Sequence, residues 1–551
     1  MHTNRPATLI AIALLSFGVA ACGKKAASGG NAGGSPAATS ASATAGLKPT
    51  TPAPTGDTGP VTWATYREVG TLDPIQAFDY PENTVDTALC DSLLQQQPDG
   101  TIKPGLATLD NSDPLNWKLK INTAATFWDG KHVTPQDVVY SLKRNTDKSL
   151  AGFYGQVFTN VASITATGPD EVTIKLSKPD NWLAGELAGM PGIIVEKAYV
   201  ESKGKKFGTP AGGTMCTGAF KLKSWKPGDN LTAVRNDNYW DSAHKPRAAA
   251  MVFKGVADDS SLTSGLLTNE ITGTYPQPLT TLDQLKASDK LTVTAGPSFS
   301  SDALVISSLT GALKDVRVRR ALSMAIDRKA YIRTLYKGYA LLPRTLANPG
   351  TWGYQRDVFQ KNWDSLPDPV QNVAKAKQLV QQAGATGKPL VIGTSAEVNS
   401  LQTAANAVRQ AAVSIGLKAT FKSVSAANYI NFFTDAKARQ GVDCFLTTNY
   451  PDYADPAALY NTLAMPGGSQ NYDNFSDPRI TAAMNEARTT ADQKVRAEMT
   501  AKAGDLINET LPWIALADPE QIVVTDKRIT GEPASFTYMG GPWAAMIGAA
   551  G

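Results

Sequence analysis

Cysteine and histidine are scarce in this chain, four of the one and three of the other among 551 residues. No two cysteines form a CxxC pair and no two histidines stand at ligand spacing, which excludes the common structural zinc sites and the HExxH hydrolases. His2 lies at the extreme N-terminus, His132 in a turn and His244 in a charged loop, so neither a metal nor a cofactor is expected. An excess of one charge is also missing: 53 Lys and Arg face 49 Asp and Glu, a net +4. The longest basic cluster, Lys203 to Lys206, has no interleaved aromatics, so nucleic acid is not an expected partner. Signatures of catalysis are absent as well. There is no GxSxG and no Walker loop, and the SxxK at Ser202–Lys205 sits in a basic loop without SDN or KTG downstream. No enzyme is expected; a hydrolase with paired carboxylates is the alternative left, because that spacing is spatial. Past residue 21 no apolar run reaches membrane-spanning length.

What is present begins at the N-terminus. A basic patch from His2 to Arg5 precedes an apolar run, Ala7 to Ala21, of the length of a secretory signal core. Val19-Ala20-Ala21-Cys22 resembles the lipobox of bacterial lipoproteins, which implies a signal peptide over 1–21 and lipid on Cys22. An ordinary signal cut that leaves Cys22 as a thiol is the alternative. Residues 22–57, almost wholly Gly, Ala, Ser, Thr, Pro, Asn and Lys, read as a flexible tether that buries too little apolar surface to order itself. Cys90, Cys216 and Cys444 remain, allowing three pairings with one thiol left over.

The body is too long for one core and points to several α/β lobes. Leu115 to Ile121 alternates apolar and polar residues as a half-buried strand does, and so does Val172 to Leu176. Thr134, Pro135 and Asp137 form a capping-box start for a helix with Val138, Val139 and Leu142 on its apolar face. Asp315 is expected to cap a helix that buries Val318, Ala321, Leu322 and Ala325 and leaves Arg317, Arg319 and Arg320 solvated. A helix over 372–383, a strand over 390–394, a helix over 401–415 and a strand over 418–424 follow in the rhythm of a helix-covered sheet.

Four blocks carry a resemblance. Residues 117–144, WKLKINTAATFWDGKHVTPQDVVYSLKR, look like the signature of the extracellular solute-binding proteins of family 5, the peptide and nickel class serving ATP-driven importers. TGAFKLKSWKPGDNLTAVRNDNYWD at 217–241, KDVRVRRALSMAIDRKAYIRTLYKGYA at 314–340 and YPDYADPAALYNTL at 450–463 resemble further family blocks in the same order. The resemblance implies an α/β, bilobed, periplasmic-binding-protein-like fold (type II, Venus flytrap) with a small domain inserted in the first lobe. The implied parts are lobe I over 58–80, 196–305 and 515–551, the insert over 81–195, and lobe II over 306–514. It also implies a monomer that captures a solute between lobes and delivers it to the permease subunits of an ABC transporter, tethered to the cell membrane through Cys22. The ligand touches both lobes only when they close, and that difference in affinity drives closure.

Among peptide-binding members the aspartate at the position of Asp452 pairs with the α-ammonium of the ligand. A turn-capping role is the alternative for Asp452. Asn449 stands where that family commonly has tryptophan, a departure that puts peptide geometry in question and keeps an oligosaccharide or other solute open beside an oligopeptide. Asn449 and Tyr450 are expected beside the cleft, as is Tyr80. Trp352 and Tyr354, in the Gly-rich stretch NPGTWGYQ, are expected on an exposed loop where their rings can stack on a ligand.

Overall fold

A computed structural model describes residues 47–275 and 279–551. The expected signal segment, Cys22 and most of the expected tether lie outside the described residues. The last part of that tether is not loose. Thr51 donates its hydroxyl to Glu532 O at 2.8 Å and accepts from Gly531 N at 2.9 Å, and Thr55 N donates to Ala549 O at 2.9 Å. Backbone pairing with the C-terminal segment compensates for the missing apolar side chains.

Two large sheets organise the body. The first runs, in spatial order, Leu291–Gly296, Gln521–Asp526, Gly273–Thr274, Val61–Thr65, Ala250–Gly255, Asn230–Arg235 and Phe220–Lys226. Val61–Thr65 is parallel to both of its neighbours, and the other pairings are antiparallel. The second sheet runs Ala340–Leu341, Trp513–Pro519, Ser301–Ile306, Cys444–Asn449, Pro389–Ser395 and Lys418–Val424. A smaller antiparallel sheet, Ala107–Asp110, Asn116–Ile121, Glu171–Leu176 and Val161–Ala166, lies within the segment between the first two strands of the first sheet in chain order.

The chain passes between the large sheets twice, at 297–300 and at Glu520. Ser301–Ile306 and Trp513–Pro519 thus belong to the second sheet, whereas lobe boundaries at 305/306 and 514/515 divide those strands. Asn348 ties the crossings together, its amide donating to Ser300 O at 3.1 Å and Pro519 O at 3.5 Å.

Local rules account for most helix starts. Thr134 and Asp137 form both halves of a capping box at Pro135–Arg144, and Asp315 caps Val316–Ala325. Arg319 departs from the expected solvated face: it is 5 % exposed. Its guanidinium donates to Thr510 O, at the end of the helix Gln493–Thr510, and to Leu313 O and Lys314 O. Carbonyls left unpaired at a helix C-terminus hold a buried cation as water would.

Cys90 and Cys216 form a disulfide, and Cys444 is a free, buried thiol in a strand of the second sheet. The disulfide fastens the end of the helix Tyr80–Leu89, whose residues from Pro81 onward are all buried. Trp543 holds the other side of this helix, donating its indole N–H to Thr84 O at 2.9 Å while packing on Trp63 at 4.7 Å between ring centres. No helix among the described residues is long and apolar enough to cross a membrane.

Candidate functional site

The crossings and the facing edges of the two large sheets enclose two compartments. The larger is a chamber of about 520 Å³, lined from the first sheet's side by Tyr66 and Tyr80, at the crossings by Ser300 and Glu520, and from the second by Asp302 and Tyr336. The smaller, of about 10 Å³, is a recess among Asn83, Tyr450, Asp452, Phe536 and Met539, with room for about one water. An aromatic wall separates them: Tyr80 lies edge-on to Tyr450 at 4.9 Å, and Tyr450 packs on Phe536 at 4.8 Å.

Asp452 lies on the loop after the strand Cys444–Asn449. The cap of the next helix, Pro456–Ala464, is Asp455, which accepts from Ala457 N, so Asp452 is not spent on capping. Gln96 holds the loop by donating to Asp452 O at 2.7 Å. The Asp452 side chain is exposed to solvent, and the protein crowded around it pushes its carboxyl up to about 6. Glu186, from the small domain, is raised further by burial and then by repulsion from Asp452, and its Oε2 has no protein partner. The Arg488 guanidinium, paired with Asp180, partly offsets this repulsion at Glu186. Nothing in LAGELAGM, where Glu186 sits among small and aliphatic residues, marks it as a candidate.

The other expected residues divide. Tyr80 lines the chamber and Tyr450 the recess; the Tyr450 hydroxyl donates to Phe78 O of the opposite lobe at 3.4 Å. Asn449 pairs its amide reciprocally with that of Gln470, at 2.6 and 3.2 Å, within its own lobe. Trp352 and Tyr354 are away from both compartments. Trp352 is 4 % exposed, stacked on Phe359 and packed edge-on against Trp363, in contrast to the exposed loop expected of it. Large rings pack there because the helix Gln493–Thr510 presents Ala497 and Ala501 beneath them. That cluster braces the Asp452 loop from behind, since Arg496 covers Tyr354 at 4.5 Å and ion-pairs with Asp455, and Gly353 N donates to Ala454 O.

A latch joins the small domain to the second lobe. Asp180 accepts from Arg488 at 2.5 Å, Arg488 lies 4.7 Å from the Trp182 ring, and Asn181 bonds to the backbone of Arg488 and Thr490. Among the described residues no cluster of His, Cys, Asp and Glu fits a metal ion.

This architecture, two sheets with two crossings and a ligand-sized space between them, is that of a capture protein. The descriptor of bacterial extracellular solute-binding proteins, family 5 (middle), matches residues 101–471. The chain belongs to this family. The glutathione-binding protein GsiB of Pectobacterium atrosepticum is 25 % identical over 84 % of this chain and 88 % of its own. The periplasmic oligopeptide-binding protein OppA of Salmonella typhimurium is 26 % identical over 79 % and 82 %. Among solved structures, DppA from Helicobacter pylori in complex with the peptide STSA superposes with a TM-score of 0.77 at 20 % identity, covering 90 % of this chain and 98 % of that one. AppA from Bacillus subtilis in complex with a nonapeptide gives 0.76 at 19 % identity, covering 90 % and 100 %. This family 5 protein has the bilobed fold of the periplasmic binding proteins, is a solute-binding component of an ABC importer working outside the cytoplasm, and is not an enzyme.

Proposed function

We propose that this protein captures short peptides with a free α-amino group and presents them to an ABC permease, as a monomer anchored to the cell membrane by lipid on Cys22. The observation that carries the peptide reading is Asp452, a carboxyl at the recess that is not spent on capping its helix and whose charge reaches Glu186 of the small domain, where one oxygen has no protein partner. An ammonium between them relieves their repulsion and links the lobes, so binding and closure become one event. The chamber next door, at about 520 Å³, lies in the range that encloses small ligands and takes the remainder of the peptide. The peptide-bound relatives named above support the same reading.

Native mass spectrometry of the protein without residues 1–22, followed by denaturation, tests the ligand: a ladder of peptide masses is expected, and a single sugar mass overturns the peptide reading. The anchor is tested separately by fractionating cells that express Cys22→Ser. Release of the variant from the membrane fraction is the expected result, and unchanged membrane association refutes lipid attachment at Cys22.

A further inference from the structure

The chamber differs in chemistry from the recess. Tyr66, Tyr80, Tyr331, Tyr336 and Tyr339 present five rings to it, and Asp302 and Glu520 contribute carboxyls. None of its lining residues is Lys, Arg or His. Asp302 is 5 % exposed and fixed in place, its Oδ2 accepting from the Tyr331 hydroxyl at 2.7 Å and the Tyr336 hydroxyl at 2.8 Å. A third carboxyl, Asp518, is fully buried close behind; Ser301 donates to one of its oxygens at 3.3 Å and the other has no protein partner.

Two nearby cations already cover rings at the chamber's edge, Arg67 at 5.7 Å from the Tyr66 ring and Lys286 at 5.3 Å from the Tyr339 ring, which leaves Tyr80, Tyr331 and Tyr336 for a ligand. Arg67 pairs with Asp79 and Glu82. Arg328, on the helix that carries Tyr331 and Tyr336, donates to Ala515 O, Ser323 O and the Ser323 hydroxyl. Lys286 reaches the hydroxyl of Tyr339 at 2.6 Å from the solvent side. Tyrosine faces carry the negative part of the ring quadrupole, and carboxyls beside them in a partly desolvated space add to that attraction.

We propose that this chamber is a subsite for an alkylammonium group, held between the tyrosine rings and the Asp302 carboxylate. On the peptide reading, on which this inference rests, the group is the side chain of a lysine-like residue beyond the α-ammonium at Asp452. Tyr80, which lines the chamber, touches Tyr450 and Phe536, which line the recess with Asp452. The same group on a free diamine satisfies the same chemistry.

Isothermal titration of the ligand-free protein with Ala-Lys-Ala, Ala-norleucine-Ala and 1,5-diaminopentane tests this. Ala-Lys-Ala is expected to bind at least about tenfold tighter than its norleucine counterpart, the increment of one charge-assisted contact. Asp302→Asn is expected to bring that ratio close to one, and Tyr336→Phe to reduce it. Equal affinity of the two peptides for the unmodified protein, or a ratio that survives Asp302→Asn, overturns the subsite while leaving peptide capture intact. If neither peptide binds, the peptide reading falls and the diamine decides alone. Diamine binding that Asp302→Asn abolishes keeps the subsite with a free amine as its ligand, and no diamine binding removes it.

Discussion

The recess and the chamber are built from the same two lobes and share a wall, yet they hold their carboxyls in opposite ways. In the chamber, Asp302 is anchored by two tyrosine hydroxyls before any ligand arrives. At the recess, the charge of Asp452 repels a second acid behind it, Glu186, and the surrounding protein raises both. The first is a prearranged acceptor, which costs a ligand little reorganisation. The second is a repulsive contact between lobes that a cation turns into an attractive one, so the recess and not the chamber couples binding to closure.

The disulfide is common to both compartments, because the helix Tyr80–Leu89 lends Tyr80 to the chamber and Asn83 to the recess and ends at Cys90. The double substitution Cys90→Ser, Cys216→Ser should lower stability by about 2–5 kcal/mol, as expected for a crosslink closing a long loop. Denaturant unfolding measures this, and the loss should weaken ligands of both compartments alike. Asp452→Ala is the next largest change. It should cost at least about 100-fold in affinity for a peptide with a free α-amino group and spare the fold, as a loop carboxyl contributes little to the core. Unchanged affinity in a titration removes Asp452 from the site.

Acid separates the compartment's binding from its stability. Capture of an ammonium needs Asp452 ionised, so affinity should fall about tenfold for each pH unit below about 6. The folding free energy moves the other way. Burial raises Asp302 to about 6 and the protein crowded around the exposed Asp452 raises it likewise, so between the ordinary aspartate range and about 6 the folded protein binds more protons than the unfolded chain. Their contribution is greatest in acid and is lost as pH rises through about 6. Thermal melts and titrations across pH 4–8 should show these opposite slopes for the ligand-free protein, and parallel slopes break the assignment.

Arg488→Ala should give the smallest effect, about a tenfold faster release of any ligand, because it opens the latch at Asp180 while Arg488 lines neither compartment and reaches Glu186 only through its charge. A change confined to one ligand class shows that the latch reports on one compartment and not on closure.

Signals whose physical cause is local were legible along the chain. The capping box at Thr134, the cap at Asp315 and the alternation from Leu115 to Ile121 each depend on contacts within a few residues; both caps stand in the structure, and the strand runs Asn116–Ile121 with Leu115 left exposed. Long polar side chains were less legible. Arg319 lies on a helix face that a pattern of apolar spacing leaves to solvent, and carbonyls some 190 positions away bury it. Rings were ambiguous for the same reason: NPGTWGYQ reads as an exposed loop, and only the small residues of Gln493–Thr510 beneath Trp352 make it a packed one.

From the sequence alone came the family, the α/β lobes, the absence of a catalytic or metal-binding signature and the prominence of Asp452, because ordered motifs and the spacing of apolar residues are properties of the chain itself. The tertiary structure decided which cysteines pair, that the charge of Asp452 reaches Glu186, that Tyr331 and Tyr336 hold Asp302, and that Trp352 packs behind the Asp452 loop. Each of those depends on segments far apart in the chain meeting across the two crossings, and spacing along a sequence does not encode distance between its folded parts.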